Sequence, residues 1–295
     1  MVIQQQNNLS TDTQNEHLHG PVITDEAVQG QQPVLAVQIG YQLDPGISRR
    51  DRPNEDTVYI KQGTIPSDSP STPATPFILL LVADGMGGQG NGQLASQLAV
   101  QSMVGYMTSS LYSYRNSGES LLSLLGASVQ YANQMIYEHN QQQQTVMGTT
   151  MTAAMLIGST AYVVHVGDSR FYLFRQPSGL TQITRDHTVV AALVARGDIA
   201  PEDIYTHPRR NEMNRSLGNK ASVEVDESTV QLVDGDVLLL CSDGLWEMAL
   251  DQQIASILAK PMPTLTDTAQ ALIQAALAGG GKDNISAIVA RVSTY

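Results

Sequence analysis

The segment that most constrains the fold is MGTTMTAAMLIGSTAYVVHVGDSRFYLFR, residues 147–175. It contains three runs rich in β-branched and apolar residues, with breaks at Gly158 and at Gly167. Because glycine beside a short polar residue is typical of hairpin turns, the segment predicts a meander of antiparallel strands. Such a meander counts against a regular alternation of strands and helices around a parallel sheet.

Further strands and helices are predicted from the spacing of apolar residues in the rest of the chain. Strands are expected at residues 35–43, 56–61, 77–83, 237–241 and 285–292. Helices are expected at residues 94–107, 121–136, 251–260 and 266–278. Strands in hairpins with helices grouped between them indicate an α+β fold.

Two stretches differ in composition from the rest of the chain. Residues 1–32 are rich in Gln, Asn, Thr and Ser and have few apolar anchors, which predicts a disordered tail before a single domain, residues 33–295. Residues 63–76, GTIPSDSPSTPATP, hold four prolines and predict an exposed loop between two strands. That loop is either a phosphoacceptor segment or a plain solvated insertion.

Charge and cysteine content exclude several classes of partner. The chain of 295 residues has 16 Lys and Arg against 28 Asp and Glu, so neither nucleic acid nor an anionic membrane surface is an expected partner. Cys241 is the single cysteine, which rules out an internal disulfide and fits a reducing compartment. The first residues do not resemble a secretory signal, and no apolar run is long enough to span a bilayer. We therefore expect a cytoplasmic monomer.

The segment FILLLVADGMGGQGNG, residues 77–92, raises the possibility of a nucleotide site, because its glycines spell G-x-G-x-x-G from Gly85 onward. A dinucleotide site also needs an acid about twenty residues later, and after Asp84 the next acid is Glu119. A nucleophilic role for Cys241 is also disfavoured, since the arginine of a cysteine-based phosphatase loop does not follow it. This cysteine is more consistent with a small apolar strand residue.

Six acids share one setting, next to a turn residue and close to an apolar strand. They are Glu55, Asp56, Asp84, Asp168, Asp243 and Asp283. Any one of them is consistent with an ordinary turn. If their strand ends converge, the carboxylates repel one another unless cations neutralise them, and oxygen ligands without a His or Cys cluster favour Mg²⁺ or Mn²⁺. From these residues alone, two interpretations stay open: the acids belong to separate turns, or they form one metal site with oxygen ligands.

Six motifs in a fixed order carry a family resemblance. They are NEDTVYI, VADGMGGQGNGQLAS, MGTT, HVGDSR, LLLCSDGLWE and KDNISAIV. As an ordered set they resemble the bacterial type 2C (PPM-type) metal-dependent Ser/Thr protein phosphatases over residues 33–293. The resemblance implies an α-β-β-α sandwich of two antiparallel sheets flanked by helices. It also implies a binuclear Mg²⁺ or Mn²⁺ centre at one edge of the sandwich.

The resemblance further implies a role for each acid in the first half of the chain. Asp84 matches the acid that bridges both metals, and the carbonyl of Gly85 matches a ligand of one of them. Glu55 matches an acid of the second metal, and its neighbour Asp56 matches a residue that acts through a water.

The acids in the second half complete the implied site. Asp243 and Asp283 match ligands of the first metal, and Asp168 with Asp243 matches the pair that holds a third, weaker metal in bacterial members. Two metals lower the pKa of a shared water, and the resulting hydroxide attacks phosphorus in line, so no covalent phosphoenzyme is required. The implied substrates are proteins phosphorylated on serine or threonine.

The chain departs from the family pattern at the phosphate-binding arginine. The family places it four residues before the metal-binding Glu, where this chain has Asp51. Arg50 and Arg52 flank that position, and either could take the role. The displaced arginine leaves a second hypothesis open, a regulatory domain of this fold that binds phosphoproteins with little or no catalysis.

Residues 187–217 correspond to the mobile flap of the family. His207, Arg209 and Arg210 within it are either substrate contacts or solvated surface charges. We refer to residues 187–217 as the flap below.

Overall fold

The computed structural model describes residues 35–67, 73–117 and 119–294. The predicted tail, residues 1–32, lies outside the described residues, as does the centre of the predicted loop, residues 68–72. The strands of the described chain are β1 (Leu35–Asp44), β2 (Asp56–Ile65), β3 (Thr75–Gly87), β4 (Met147–Thr149), β5 (Met151–Ile157), β6 (Thr160–Val166), β7 (Arg170–Arg175), β8 (Gly179–Gln182), β9 (Asp226–Gln231), β10 (Val237–Cys241) and β11 (Ile285–Thr294). The helices are α1 (Asn91–Ser117), α2 (Leu121–Gln143), α3 (Val189–Arg196), α4 (Asp243–Trp246), α5 (Asp251–Leu258) and α6 (Leu265–Ala278).

These strands form two antiparallel sheets. The first sheet has the order β1-β11-β10-β7-β8, and the second has the order β2-β3-β5-β6-β9 with β4 paired to β3. Every named strand pair is antiparallel, which confirms the predicted α+β class.

The central strand β3 shows how the layers stack. Leu79 and Leu81 pack into one core with residues of α1 and α2, whereas Leu80 and Val82 pack into the core between the two sheets. A strand buried on both faces reads as a continuous apolar run, which explains the sequence of residues 77–83. Helices α5 and α6 cover the outer face of the first sheet. The four layers form the α-β-β-α sandwich that the resemblance implied.

The predicted meander is wrong at one junction. Strands β5 and β6 do form a hairpin, but β7 pairs with β10 in the first sheet, so the chain crosses between sheets after Val166. Gly167 has φ +117° at the crossing, and a Cβ there would lie 2.6 Å from the side chain of Thr150. A glycine at positive φ with no room for a side chain can redirect the chain instead of folding it back. Asp168 consequently lies between the two sheets.

Several elements are longer than predicted, and the predicted loop is shorter. The β2–β3 ladder continues as far as the pair Ile65 and Thr75, so the connection lies within the predicted range 63–76 and does not fill it. Within the ladder Gly63 pairs with Phe77, and a Cβ on Gly63 would lie 2.7 Å from the ring. The helix α1 has 27 residues, yet none of the helices described is long and apolar enough to cross a bilayer.

Candidate metal centre

Asp56 and Asp84 face each other across the β2–β3 ladder at one end of the second sheet. Directly opposite residues of an antiparallel pair present their side chains on the same face. Asp56 Oδ2 accepts hydrogen bonds from Ser242 Oγ at 2.7 Å and from Ser286 Oγ at 2.6 Å. Because Ser286 lies in β11 and Ser242 directly follows β10, Asp56 joins the two sheets at this edge.

Asp243 and Asp283 come to the same edge from the first sheet. Asp243 begins α4 two residues after the end of β10, Asp283 lies two residues before the start of β11, and β10 and β11 are neighbours. The two loops touch through their backbones, since a Cβ on Gly244 would lie 2.0 Å from the carbonyl oxygen of Asn284. Glycine after Asp243 is therefore required for the two carboxylates to approach each other.

Asp168 reaches the site from the crossing between the sheets. Its backbone carbonyl accepts a hydrogen bond from the indole nitrogen of Trp246 at 2.9 Å, which ties the crossing to α4. The next residue, Ser169, shares a hydrogen bond of 2.7 Å with the hydroxyl of Thr150. Asp168 is thus held from both sheets.

The acids alter one another's ionisation. Burial raises the pKa of Asp56 to about 6, against hydrogen bonds from two serines that lower it. Burial and the neighbouring charges of Asp186 and Glu247 raise the pKa of Asp168 to about 7. The pKa values of Asp84 and Asp243 lie well above their usual range, through desolvation first and then through repulsion from the other acids. Mutual repulsion of this kind requires that the carboxylates share one site.

Arg49 joins two acids from opposite sheets. Its guanidinium donates to Glu55 Oε2 at 2.9 Å and to Asp283 Oδ2 at 2.8 Å. Burial raises the pKa of Asp283, and the charge of Arg49 opposes that rise. The predicted phosphate ligands Arg50 and Arg52 are exposed. Sequence reasoning missed Arg49, since its distance along the chain from Glu55 does not match the family spacing.

The glycines after Asp84 permit a close approach of the backbone. A Cβ on Gly85 would lie 2.0 Å from the carbonyl oxygen of Gly92 and 2.7 Å from that of Glu55. A Cβ on Gly92 would lie 2.5 Å from Glu55 Oε1. The start of α1 can therefore press against the acidic site only with glycine at both positions.

The donor set fits a divalent cation. Asp56 Oδ1 and Asp243 Oδ1 are buried without a hydrogen-bond partner among the described residues, which is costly for a carboxylate. Carboxylate and carbonyl oxygens are the preferred ligands of Mg²⁺ and Mn²⁺. As the described side chains stand, no three of His, Cys, Asp or Glu surround a single ion position. Arg49 spans Glu55 and Asp283, so metal binding requires these side chains to adjust.

Comparison with known proteins gives the family. The model of the protein phosphatase 2C family matches residues 60–279. The chain belongs to the protein phosphatase 2C family. It is 36% identical over 263 residues to the serine/threonine protein phosphatase PstP of Mycobacterium tuberculosis, across 88% of this chain and 46% of that protein. The chain therefore spans about half the length of this relative.

Two further comparisons agree. The chain is 38% identical over 215 residues to the serine/threonine phosphatase stp of Listeria monocytogenes, across 72% of this chain and 83% of that one. The crystal structure of the catalytic domain of PstP in complex with two manganese ions superposes with a TM-score of 0.70 at 34% identity. That match covers 88% of this chain and all of the other, which confirms the expected fold.

In this phosphatase 2C domain, hydroxyl and amide groups hold the acids in position, and sequence reasoning had given them no role. Asp84 is fixed through its backbone, because its carbonyl accepts from Thr149 Oγ1 at 2.7 Å and its N–H donates to Thr150 Oγ1 at 2.9 Å. The backbone N–H of Glu55 donates to Asn284 Oδ1 at 2.8 Å. These residues lie inside the motifs MGTT and KDNIS, so the motifs themselves were the available signal.

The three flap residues have different surroundings. Arg209 is paired with Glu212 at 2.7 Å on the surface, and His207 Nδ1 accepts from the backbone N–H of Arg209 at 3.1 Å. Arg210 faces Glu247 across a cavity beside α4, and its charge lowers the pKa of Glu247 against a rise due to burial. A substrate contact by these residues stays a prediction.

Proposed function

We propose that this protein is a metal-dependent phosphatase that hydrolyses phosphoserine and phosphothreonine in proteins. The observation that carries the proposal is the gathering of buried carboxylates with raised pKa values at one edge of the sandwich. An uncompensated cluster of this kind requires cations. The names of the mycobacterial and Listeria relatives support the same activity.

The residues that would hold the ions supply only oxygen atoms. They are Glu55, Asp56, Asp84, Asp168, Asp243 and Asp283, with the carbonyl of Gly85. When bound, Mg²⁺ or Mn²⁺ would supply an activated water as nucleophile and offset the charge on the phosphoryl oxygens. The two manganese ions in the PstP catalytic domain support a core site for two metals. We propose Asp168 with Asp243 for a third, weaker ion.

We assign the phosphate-binding role to Arg49 in place of Arg50 or Arg52. The Arg49 guanidinium already lies among the acids, at 2.9 Å from Glu55 and 2.8 Å from Asp283. A planar guanidinium can bind two phosphoryl oxygens at once, and it becomes free for this when cations take over the charge of the two carboxylates.

The loop that follows Asp84 offers the leaving group no proton donor at its second position. Two positions after Asp84 stands Met86, whose thioether cannot donate a proton. We propose that solvent protonates the serine or threonine alkoxide as the phosphorus–oxygen bond breaks.

The test is release of inorganic phosphate from a phosphothreonine peptide by the purified full chain, first with Mn²⁺ and then with excess chelator. Wild type should release phosphate only with metal. Asp243→Asn should lose more than the roughly 10–100-fold that supporting residues around a metal usually cost. The matched control Asp198→Asn changes an exposed acid of the flap and should keep full activity.

Two results would contradict the proposal. Activity that persists in excess chelator would show that the acids do not work through metals. Tight binding of the phosphopeptide without any release, in folded protein with Mn²⁺ present, would instead establish the regulatory hypothesis.

A further inference from the structure

A cavity of about 360 Å³ lies between the flap and α4, and we call it the flap cavity. Its apolar wall is formed by Val190, Ala191, Val194 and Ala195 of α3, and Trp246 stands among the residues of the facing side. The flap cavity is next to the carboxylate site, because α4 begins at Asp243 and the Trp246 indole binds the carbonyl of Asp168.

The helix α3 is apolar, and most of its residues are only half-buried. Seven of its eight residues are apolar, yet Val190 alone among them is buried. A helix of this composition normally covers its apolar side with protein. The residues that line the flap cavity therefore offer apolar surface to a ligand.

One side of the flap cavity is formed by two stacked side chains, Arg170 and Trp246. The guanidinium of Arg170 stacks on Trp246, with its central carbon 3.5 Å from the ring centroid. The same guanidinium is paired with Asp186 at 2.6 Å and donates to the hydroxyl of Tyr172 at 2.7 Å. Since the charge of Arg170 is already matched by a buried carboxylate, Arg170 itself offers no free charge to a phosphate or an acid, whereas Arg185 and Arg210 also line the flap cavity.

We infer that the flap cavity receives an apolar side chain of the phosphoprotein substrate, close in sequence to the phosphorylated residue. This inference rests on the proposed function and adds a substrate preference to it. A volume of about 360 Å³ is at the lower end for ligand pockets, which suits one large aliphatic or aromatic side chain. An extended peptide advances about 3.3 Å per residue, so a side chain a few positions from the phosphate can reach a neighbouring cavity.

The test compares two tryptophan variants of one helix. Ala191→Trp fills the flap cavity, whereas Ala192→Trp places the same side chain one residue later, at a half-buried position that does not line it. The substrates are phosphothreonine peptides with Leu or Gly at each of three positions on either side of the phosphothreonine. A small aryl phosphate, which has no neighbouring side chain, serves as the reference substrate.

For wild type we expect kcat/KM to favour Leu over Gly at one position by about 10-fold or more. Ala191→Trp should reduce that preference to about twofold or less, Ala192→Trp should keep it, and turnover of the aryl phosphate should be the same in all three. Val194→Asn, a polar and smaller change in the same wall, should also weaken the preference. Val194→Asn introduces no bulky ring, so it tests the flap cavity even if tryptophan at residue 191 disturbs the fold.

The outcomes separate this inference from the proposed function. The same peptides are bound to Asp243→Asn, and fluorescence anisotropy measures their affinity without turnover. Binding of Asp243→Asn that favours Leu, together with no phosphate release from any peptide by wild type with Mn²⁺, would overturn the proposed function and support the inference about the flap cavity. Turnover without a preference for Leu at any position would overturn only the inference about the flap cavity. An equal loss of preference in both tryptophan variants would do the same.

Discussion

Replacement of Asp56 by Asn should stabilise the metal-free protein at alkaline pH and have little effect at acid pH. Burial raises the pKa of this carboxyl from 3.8 to about 6 in the native state. As pH rises from about 4 to about 6, the unfolded chain ionises while the native protein still holds the proton, so stability falls across this window. The free energy of unfolding of the wild type has its full value below the pKa of the unfolded chain, and above about pH 6 it has fallen by the full amount.

The magnitude follows from the two pKa values. Each pKa unit corresponds to about 1.4 kcal/mol, so a rise from 3.8 to about 6 costs about 3 kcal/mol at neutral pH. An Asn amide keeps one oxygen that can accept from Ser242 and Ser286, as Asp56 Oδ2 does. Because the amide nitrogen must still be desolvated, we expect Asp56→Asn to recover about 2 kcal/mol of this cost.

The assay is urea unfolding of the chelated wild type and of Asp56→Asn at about pH 4, 6 and 8. The difference in unfolding free energy should be near zero at the lowest pH and largest at the highest. With excess Mn²⁺, wild type should gain more stability than the variant, since the ion binds the native carboxylates. A difference of the same size at all three pH values would refute the argument from the raised pKa.

Three further variants test other contacts of the site. Arg49→Ala should lower kcat/KM on a phosphopeptide by about 10²-fold, whereas Arg52→Ala, at an exposed position, should stay near wild type in the same steady-state assay. Gly85→Ala should destabilise the protein by about 2–4 kcal/mol in thermal unfolding, because its Cβ would meet the Gly92 carbonyl oxygen at 2.0 Å; a wild-type melting temperature would contradict this. His187→Ala should cost about 2–3 kcal/mol in urea unfolding, because buried His187 Nδ1 accepts from the Gly167 N–H at 3.1 Å; a smaller cost would mean that solvent replaces this bond.

The elements that the sequence predicts well are those whose burial follows from their own residues. Strand β3 is buried on both faces and so carries a continuous apolar run, and α6 shows a regular apolar face. Strand β9 escaped prediction because it lies at the edge of its sheet and alternates between half-buried and exposed residues. The third strand of the predicted meander, β7, was recognised, but its pairing with β10 was not. Pairing depends on the backbone at Gly167, which composition does not encode.

The acids of the site were visible as single residues, and their convergence was not. It depends on register, since Asp56 and Asp84 meet only because β2 and β3 pair at those residues. The position of Arg49 among the acids was not foreseen for a related reason. The loop that carries Arg49 is fixed by a distant contact, a hydrogen bond of 3.1 Å from the Ser48 N–H to the carbonyl of Gly281, and spacing along the chain carries no record of it.

The crossing at Gly167 has a wider consequence, because it links the two sheets, the acids and the flap. The first flap residue, His187, brackets Gly167 twice: its backbone N–H donates to the Gly167 carbonyl at 2.7 Å, and its Nδ1 accepts from the Gly167 N–H at 3.1 Å. Asp168 follows directly and is bound by Trp246, which also lines the flap cavity. A displacement of His187 would therefore break both of its hydrogen bonds to Gly167, the residue before Asp168. The first residue of the flap and the backbone that leads into Asp168 are thus tied to each other by two hydrogen bonds, whether or not a side chain occupies the flap cavity.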